Sequence, residues 1–567
     1  MLATSAALAL ALTARLPLAD NTESRYGTIA WQMSRSGDWV TPRIYTAGQL
    51  QPFLGKPPLH FWLTALSYRV FGVSEWSARL PNFLLSVAIV AMTAAFAARL
   101  RAREEMGTGT SPDTVSSIDS LHGSEPVPIS SRAFRGRRAA ALAAVILASS
   151  ALFFVLAGTC ILDVPLTFGL TGAMIAFARF ADGSPHRAAW GRLFFLGLAF
   201  GALAKGPIVL VLAGMALGLW IGLQGRWRLA LELPWRSGAA LFCVVVLPWY
   251  ILAERASPGF LWYFIVHEHI LRYFKSEYGD LYGHGRKQPY GAVWLMLLAA
   301  LLPWTVLVGA SLARQFRSRK ILTALRGDPW LAYAILWGLT PAVFFTFARQ
   351  LLPTYLLPGL PGLAIAAAVS LDRWIESDAE PALLRWLRWH LGALLPLAAV
   401  GSAAAVVIGA PWAAVAILAA AVCLLAWRAA RNLRPGGSAA VLVLFGLTTT
   451  VAFGGAAMLL GPRIIDDRFS AKTILAQLAT TPAADRPIVA PLEDVQSAIF
   501  YTEALGQGRF EPCVPHKVES IGELLDAPGN AVFLVKRKDW ERVEPAVASR
   551  FTVMAETERW VALGPAN

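Results

Sequence analysis

Charge is scarce in this chain. Only 15% of its 567 residues are Asp, Glu, Lys or Arg, while 56% are hydrophobic. Soluble domains carry about 25% charged residues, so this composition does not fit a water-soluble globular protein. Cysteine is scarce too. The four, Cys160, Cys243, Cys423 and Cys513, show no paired metal-ligand spacing. Cys243 and Cys423 lie in apolar runs as packing residues, so no disulfide framework is expected. No glycine fingerprint opens a βαβ unit, so a Rossmann domain is not expected. The apolar run Leu2 to Leu18 lacks the basic n-region of a signal peptide, and Arg15 interrupts its end. A first transmembrane helix is expected there.

What the chain has instead is repeated apolar runs near the length of a bilayer crossing. They fall at 1–18, 80–98, 138–158, 162–181, 190–204, 206–223, 236–254, 290–313, 329–347, 352–371, 390–409, 411–427 and 438–461. The runs predict a polytopic α-helical membrane protein with about 13 spans. The net charge of +14 could suggest nucleic acid. The positives, however, sit in short loops between runs, where topology signals belong. Arg99, Arg135, Arg187, Arg226, Arg314, Arg373 and Arg428 stand in such loops, all on one side of the membrane. Nucleic-acid binding is therefore not expected. With the N-terminus cytoplasmic, the segments 19–79, 255–289 and 462–567 are exoplasmic.

The loop 103–132 is rich in Ser, Gly, Pro and Thr without apolar periodicity, and reads as a flexible cytoplasmic insertion. The tail 462–567 gains charge and β-like runs at Pro487–Ala490 and Ala531–Val535, with a helical stretch at Glu519–Leu525. It predicts a small soluble α/β domain after a transmembrane domain spanning 1–461.

The exoplasmic loops hold the residues that can carry chemistry. Glu23, Arg25 and Tyr26 open a segment with the apolar spacing of an amphipathic helix, and a second such segment runs from Leu59 to Phe71. Asp20 and Glu23 are three apart and can share a helix face, as base candidates or as helix caps. Asp163 stands at the mouth of a span, where a carboxylate is costly unless paired, or else caps the helix. Lys205 sits between two apolar runs, suited to an anionic headgroup or to snorkelling. Lys56 reads the same way, with Pro57 and Pro58 stiffening its approach. His267, Glu268 and His269 precede Arg272. His269 is a candidate ligand for a divalent metal, Zn or Mg, together with an acid from elsewhere in the chain.

Several of these stretches together resemble a family. Glu23-x-Arg25-Tyr26, Ser36-Gly37-Asp38-Trp39, Lys56-Pro57 and Arg79-Leu80-Pro81 look like the start of the aminoarabinose transferases and protein O-mannosyltransferase-related glycosyltransferases, which have the GT-C fold. The resemblance continues at 160–168, 203–207, 262–274 and 349–358. It implies about 13 spans followed by a soluble exoplasmic domain, the layout the apolar runs predict independently. It also implies transfer of a sugar from a polyprenyl-phosphate carrier to an acceptor, often a lipid.

Residue by residue, the resemblance implies an acidic role for Glu23 or Asp20, an acid at Asp163, and carrier-phosphate binding at Lys56, Arg25, Lys205, Arg272, Arg349 and Tyr355. Two positions depart from the pattern. Thr22 stands where the family has an essential aspartate, and Leu351 where it has lysine in Lys-Leu-Pro-Thr-Tyr; Arg349 is a substitute charge.

The expected function is an inverting glycosyltransferase, acting as a monomer in a bacterial inner membrane with its site facing the periplasm. Its partners are a polyprenyl-phosphate-linked sugar, a lipid A-like lipid or other glycan acceptor, and membrane lipids. Rival readings are a transporter or flippase of the same lipids, a protein O-mannosyltransferase-type enzyme, and a non-catalytic assembly protein.

Overall fold

The computed structural model describes residues 16–19, 22–46, 49–104, 129–274, 288–316, 321–348, 350–407, 410–490, 496–506, 510–512 and 531–566. Asp20, Arg349, the run up to residue 15, most of the loop 103–132 and the expected helix at 519–525 lie outside them.

The described chain opens with helix α1 (Glu23–Ser36), a hairpin of β1 (Arg43–Thr46) and β2 (Gln49–Pro52), and α2 (Leu59–Phe71). Both amphipathic segments are thus helices, while the hairpin between them had no clear signal in the sequence. Then follow α3 (Glu75–Glu104), α4 (Ile129–Ser149), α5 (Asp163–Ala181), α6 (Arg187–Lys205), α7 (Ile208–Gln224) and α8 (Trp235–Ala256). A π-helical segment, Tyr263–Leu271, precedes α9 (Ala292–Ala300) and α10 (Thr305–Phe316). The bundle closes with α11 (Pro329–Phe344), α12 (Leu360–Glu376), α13 (Glu380–Val407), α14 (Trp412–Arg431) and α15 (Ser438–Phe469).

Among the described residues nine helices are long and apolar enough to cross a bilayer: α3, α5, α6, α8 and α11 to α15. The expected span at 290–313 is not straight. It is the pair α9 and α10, bent by 104°. Pro303 lies at the break, and proline supplies no amide to continue a helical ladder. Counted as one, the pair makes ten spans. The helices α11 and α12 reach that length together with their adjoining 3-10 turns, as Pro329–Phe347 and Pro353–Glu376, whereas α7 stays at 17 residues; the expected run 138–158 is divided between α4 and the short helix Ala151–Leu156.

Small residues set the closest helix pair. A Cβ on Gly169 of α5 would meet Gly201 N at 2.7 Å and Gly197 O at 2.8 Å on α6, and one on Gly197 would meet Ala173 N at 2.7 Å. Where lipid supplies no hydrophobic drive between helices, such close backbone approach carries the packing. The two helices run antiparallel. Their register brings the first residue of α5, Asp163, beside the last residue of α6, Lys205.

At the opposite end of the bundle, charges close into a network. Arg101 of α3 donates to Asp372 and Glu376 of α12, at 2.6 Å each, and Arg138 of α4 pairs with both carboxylates. Asp372 is fully buried. Buried carboxylates of this kind persist only when paired.

After α15 the chain forms α16 (Lys472–Leu478) and a five-stranded sheet. The order is β4 (Phe510–Pro512), β3 (Ile488–Ala490), β5 (Val532–Lys536), β7 (Trp560–Pro565) and β6 (Phe551–Glu556). The β3 strand pairs in parallel with β4 and β5, and β7 pairs antiparallel with β5 and β6. The strands β3 and β5 fall on the two β-like runs read from the sequence, and α15 continues as a helix to Phe469 beyond its apolar span Ser438–Pro462. Ile29, Met33, Phe61 and Tyr68 of the first loop share one buried cluster with Ile474, Phe500 and Trp560. Lys472 pairs with Glu75 at 2.6 Å, and the Leu18 amide donates to the Tyr501 hydroxyl at 2.9 Å.

Asp372→Asn should take the fully buried carboxylate from the network and leave Arg101 and Arg138 sharing Glu376. A loss of ~3–5 kcal/mol is expected for breaking a buried pair. Thermal unfolding in detergent should show a clearly lower midpoint than for the exposed control Glu558→Gln.

Candidate active site

The functional residues come from five parts of the chain. Lys56 sits in the turn before α2, where Pro57 and Pro58 restrict the backbone. Asp163 begins α5, Lys205 ends α6, and Glu268 and Arg272 lie on and just after the π-helical segment. Tyr355 belongs to the 3-10 turn Pro353–Gly359 that leads into α12.

Two ion pairs result. Lys205 Nζ donates to Asp163 Oδ1 at 2.5 Å, with both side chains largely buried. Asp163 therefore does not cap its helix, and Lys205 does not reach out to water; its ammonium lies over the Tyr355 ring at 4.8 Å. Such a cation over an aromatic face gains further attraction. In the second pair, Lys56 Nζ donates to Glu268 Oε2 at 2.6 Å, and Arg272 Nη1 lies 3.2 Å from the same oxygen. Glu268 and Arg272 are four apart, so they share a helical face.

The pairs meet around two tyrosines. The Tyr355 phenol is within electrostatic reach of Arg272, Lys56, Asp163 and Glu268, and the Tyr26 phenol within reach of Arg25, Asp163, Glu268 and Tyr355. Burial pushes the Tyr26 hydroxyl well above its ordinary range. Burial also raises the Glu268 carboxyl, but the charges of Lys56 and Arg272 outweigh it and bring the pKa down to about 2. Glu268 therefore stays ionised across the physiological range.

Close packing locks the π-helical segment in place. Gly206 follows Lys205 with φ +85°, and a Cβ there would meet Phe264 Cζ at 2.5 Å and His269 Nε2 at 3.1 Å. Only glycine serves both the left-handed backbone and the contact. Tyr273 donates its hydroxyl to Phe344 O at 2.6 Å, tying the far end to α11. His269 Nδ1 lies 2.7 Å from Phe264 O, and burial lowers the pKa of its ring. Among the described residues no group of three His, Cys, Asp or Glu side chains is arranged to hold a metal. The metal expectation at His269 thus finds no set of ligands there.

Glu23 is placed differently. Its Oε1 accepts from Arg79 Nε at 3.0 Å and Cys160 N at 2.8 Å, and its Oε2 from Arg79 Nη2 at 2.8 Å and Ala19 N at 3.3 Å. Arg79 also donates to Pro17 O at 2.8 Å. Burial raises the Glu23 pKa, but the Arg79 charge and these hydrogen bonds win and hold it below the usual carboxylate range. The carboxylate thus ties the start of the first loop to α3 and to the stretch before α5.

Lys56, Lys205, Arg272, Asp163 and Tyr355 are brought together. Arg25 stands beside Tyr26, at the edge of the group. Two partners went unread in the sequence. Arg79, at the start of a span, belonged to a quoted motif but had no assigned role; an arginine there signals a buried partner. Glu268 lay inside the Glu-His-x-x-Arg motif, overshadowed by its histidines.

The architecture is that of a multi-pass membrane protein with the GT-C fold. The structure matches that of ArnT from Cupriavidus metallidurans bound to undecaprenyl phosphate with a TM-score of 0.69, covering 99% of this chain and 96% of the other at 21% identity. The apo form of that protein matches with a TM-score of 0.67 at 22% identity. Residues 55–106 and 130–264 match the family described as dolichyl-phosphate-mannose-protein mannosyltransferase.

By sequence, the chain is similar to undecaprenyl phosphate-alpha-4-amino-4-deoxy-L-arabinose arabinosyl transferases. It is 25% identical to that of Enterobacter sp. (strain 638) over 378 residues, 66% of this chain and 59% of the relative. It is 26% identical to that of Edwardsiella ictaluri (strain 93-146) over 402 residues, 69% of this chain and 61% of the relative. The matches thus span about three fifths of the length of these curated relatives.

Because the folded pKa of Glu23 is depressed, its stabilisation is present above the unfolded value near ~4.3 and is lost as pH falls through the folded value. Glu23→Gln should cost ~3–5 kcal/mol at pH 7 by removing the buried carboxylate that balances the Arg79 charge. Unfolding midpoints of wild type and variant should converge as pH drops below ~4. A gap that stays constant with pH would contradict the ion-pair account.

Proposed function

We propose that this chain is an inverting membrane glycosyltransferase. It takes a sugar from a polyprenyl-phosphate carrier and passes it to a lipid A-like or other envelope acceptor on the periplasmic face of the bacterial inner membrane. The observation that carries the reading is the convergence of the Lys205–Asp163 and Lys56–Glu268–Arg272 groups around Tyr355 at one end of an apolar bundle. The bundle suits a prenyl chain, and fixed cations at its mouth suit a phosphate. The likeness to the arabinosyl transferases supports the same chemistry.

In this reading Asp163 is the base. The acceptor O–H gives its proton to the Asp163 carboxylate as the acceptor oxygen bonds to the anomeric carbon. The bond from that carbon to the phosphate oxygen breaks, and its electron pair leaves with the polyprenyl phosphate, which gains a second negative charge. Protonated Asp163 no longer neutralises Lys205, so the ammonium turns to the phosphate as that charge develops. An interaction that strengthens only in the transition state is the kind that accelerates a reaction. Thr22 cannot be a base of this type, and Glu23 accepts four hydrogen bonds from Arg79, Cys160 and Ala19; of the two described carboxylates around Tyr355, Glu268 is held by two cations and Asp163 by one, which favours Asp163 in that role. Arg25 and Tyr26 line the approach.

A protein acceptor is the second reading, favoured by the match to the mannosyltransferase family. A transporter would need charges near the bilayer midplane. Asp163 and Lys205 instead lie at the ends of their helices.

The test is mass spectrometry of envelope lipids, glycans and proteins from cells with and without the chain. A pentose-, hexose- or aminosugar-sized increment should appear with the wild type. Asp163→Asn should reduce it by roughly 10²–10⁴-fold, as loss of a general base does. No increment from a folded, membrane-inserted wild type would sink the reading.

A further inference from the structure

Lys56 and Arg272 are held by one carboxylate. Glu268 Oε2 is 2.6 Å from Lys56 Nζ and 3.2 Å from Arg272 Nη1, and its side chain is 3% exposed. It projects from a π-helical segment of nine residues. Such turns are rare and concentrate at functional sites. Burying a carboxylate beside two cations that are needed for a phosphate looks wasteful, because it cancels half of their charge.

The cancellation makes sense when the two phosphates of the proposed reaction are compared. The donor is a phosphodiester with one negative charge. The spent carrier is a phosphomonoester, with a charge of about −1.5 to −2 at pH 7. Among the described residues, Lys56, Arg272 and Glu268 together contribute one net positive charge to the subsite, which matches the diester and falls short of the monoester.

Resting on the proposed reaction, we propose that Glu268 is a charge-setting specificity residue. It makes the Lys56–Arg272 subsite favour the phosphodiester of the sugar-bearing carrier over the phosphomonoester of the spent carrier. The second positive charge is held in reserve on Lys205, paired with Asp163 until the acceptor's proton arrives. When Asp163 later gives that proton to water, Lys205 is neutralised again. The monoester then faces a subsite with too little charge to retain it, and leaves.

The experiment measures binding of polyprenyl phosphate and of its monomethyl ester to the full chain in lipid nanodiscs. Wild type should bind the diester at least as tightly as the monoester. Glu268→Gln should tighten monoester binding by roughly tenfold or more, because an uncompensated unit charge acts at contact distance, and tighten diester binding several-fold less. In turnover assays the variant should keep a first-turnover burst but lose steady-state rate, since release of the spent carrier becomes slow.

An unchanged ratio, or weaker binding of both probes, would overturn the inference and leave Glu268 a purely structural partner. Lys56→Met tests it independently of whether the first variant folds. It takes the subsite to zero net charge and should weaken the monoester more than the diester; equal losses would count against the inference. Wild type that binds neither probe would remove both the proposed reaction and this inference, whereas wild type that binds both while Glu268→Gln leaves the ratio unchanged removes the inference alone.

Discussion

A charged group placed at the end of an apolar bundle must find an opposite charge, and most of this architecture follows from that requirement. Glu23 meets Arg79, Asp163 meets Lys205, Glu268 meets Lys56 and Arg272, and Asp372 meets Arg101 and Arg138. Apart from Glu268 and Arg272, four residues apart, each pair joins different segments of the chain. Each therefore fixes a long-range contact that the hydrophobic effect alone would leave loose, because apolar side chains pack against lipid nearly as well as against one another.

The pairs divide the labour. At one end, Arg101 and Arg138 clamp α3, α4 and α12 together. At the other, Glu23 and Arg79 fasten the first loop, and the C-terminal sheet adds its own ties through Lys472 and Tyr501. Between these rigid fastenings, the pairs around Tyr355 carry charges that a phosphate can engage. That end combines close packing with reactive groups. Gly206 lets the π-helical segment press against the Lys205 turn.

Much of the fold was legible in the sequence. Apolar runs marked the membrane helices because the bilayer imposes a length. The spacing of residues 23–33 and 59–71 announced α1 and α2, and the β-like runs near 488 and 532 are strands. The site was legible in part. Lys56, Asp163, Lys205 and Arg272 stood out as charges at the edges of apolar runs, and the family resemblance joined them. The role of Glu23 was not legible. Its spacing from Asp20 and its place in a motif suit a base or a cap, and only the arrival of Arg79, Cys160 and Ala19 shows a carboxylate with its acceptor positions taken.

What the sequence determined by itself was the class of protein and the sites of its charges. Both are local properties: hydropathy over about 20 residues, and an ionisable side chain in an unfavourable place. What tertiary structure alone decided was the pairing. Whether Asp163 caps its own helix or holds Lys205 depends on the register of α5 against α6, set by glycines further along the two helices. Whether Glu268 is a bystander to its histidines or the shared partner of two cations depends on a lysine 212 residues away. Electrostatic energy depends on distance through space, and separation along the chain does not encode that distance.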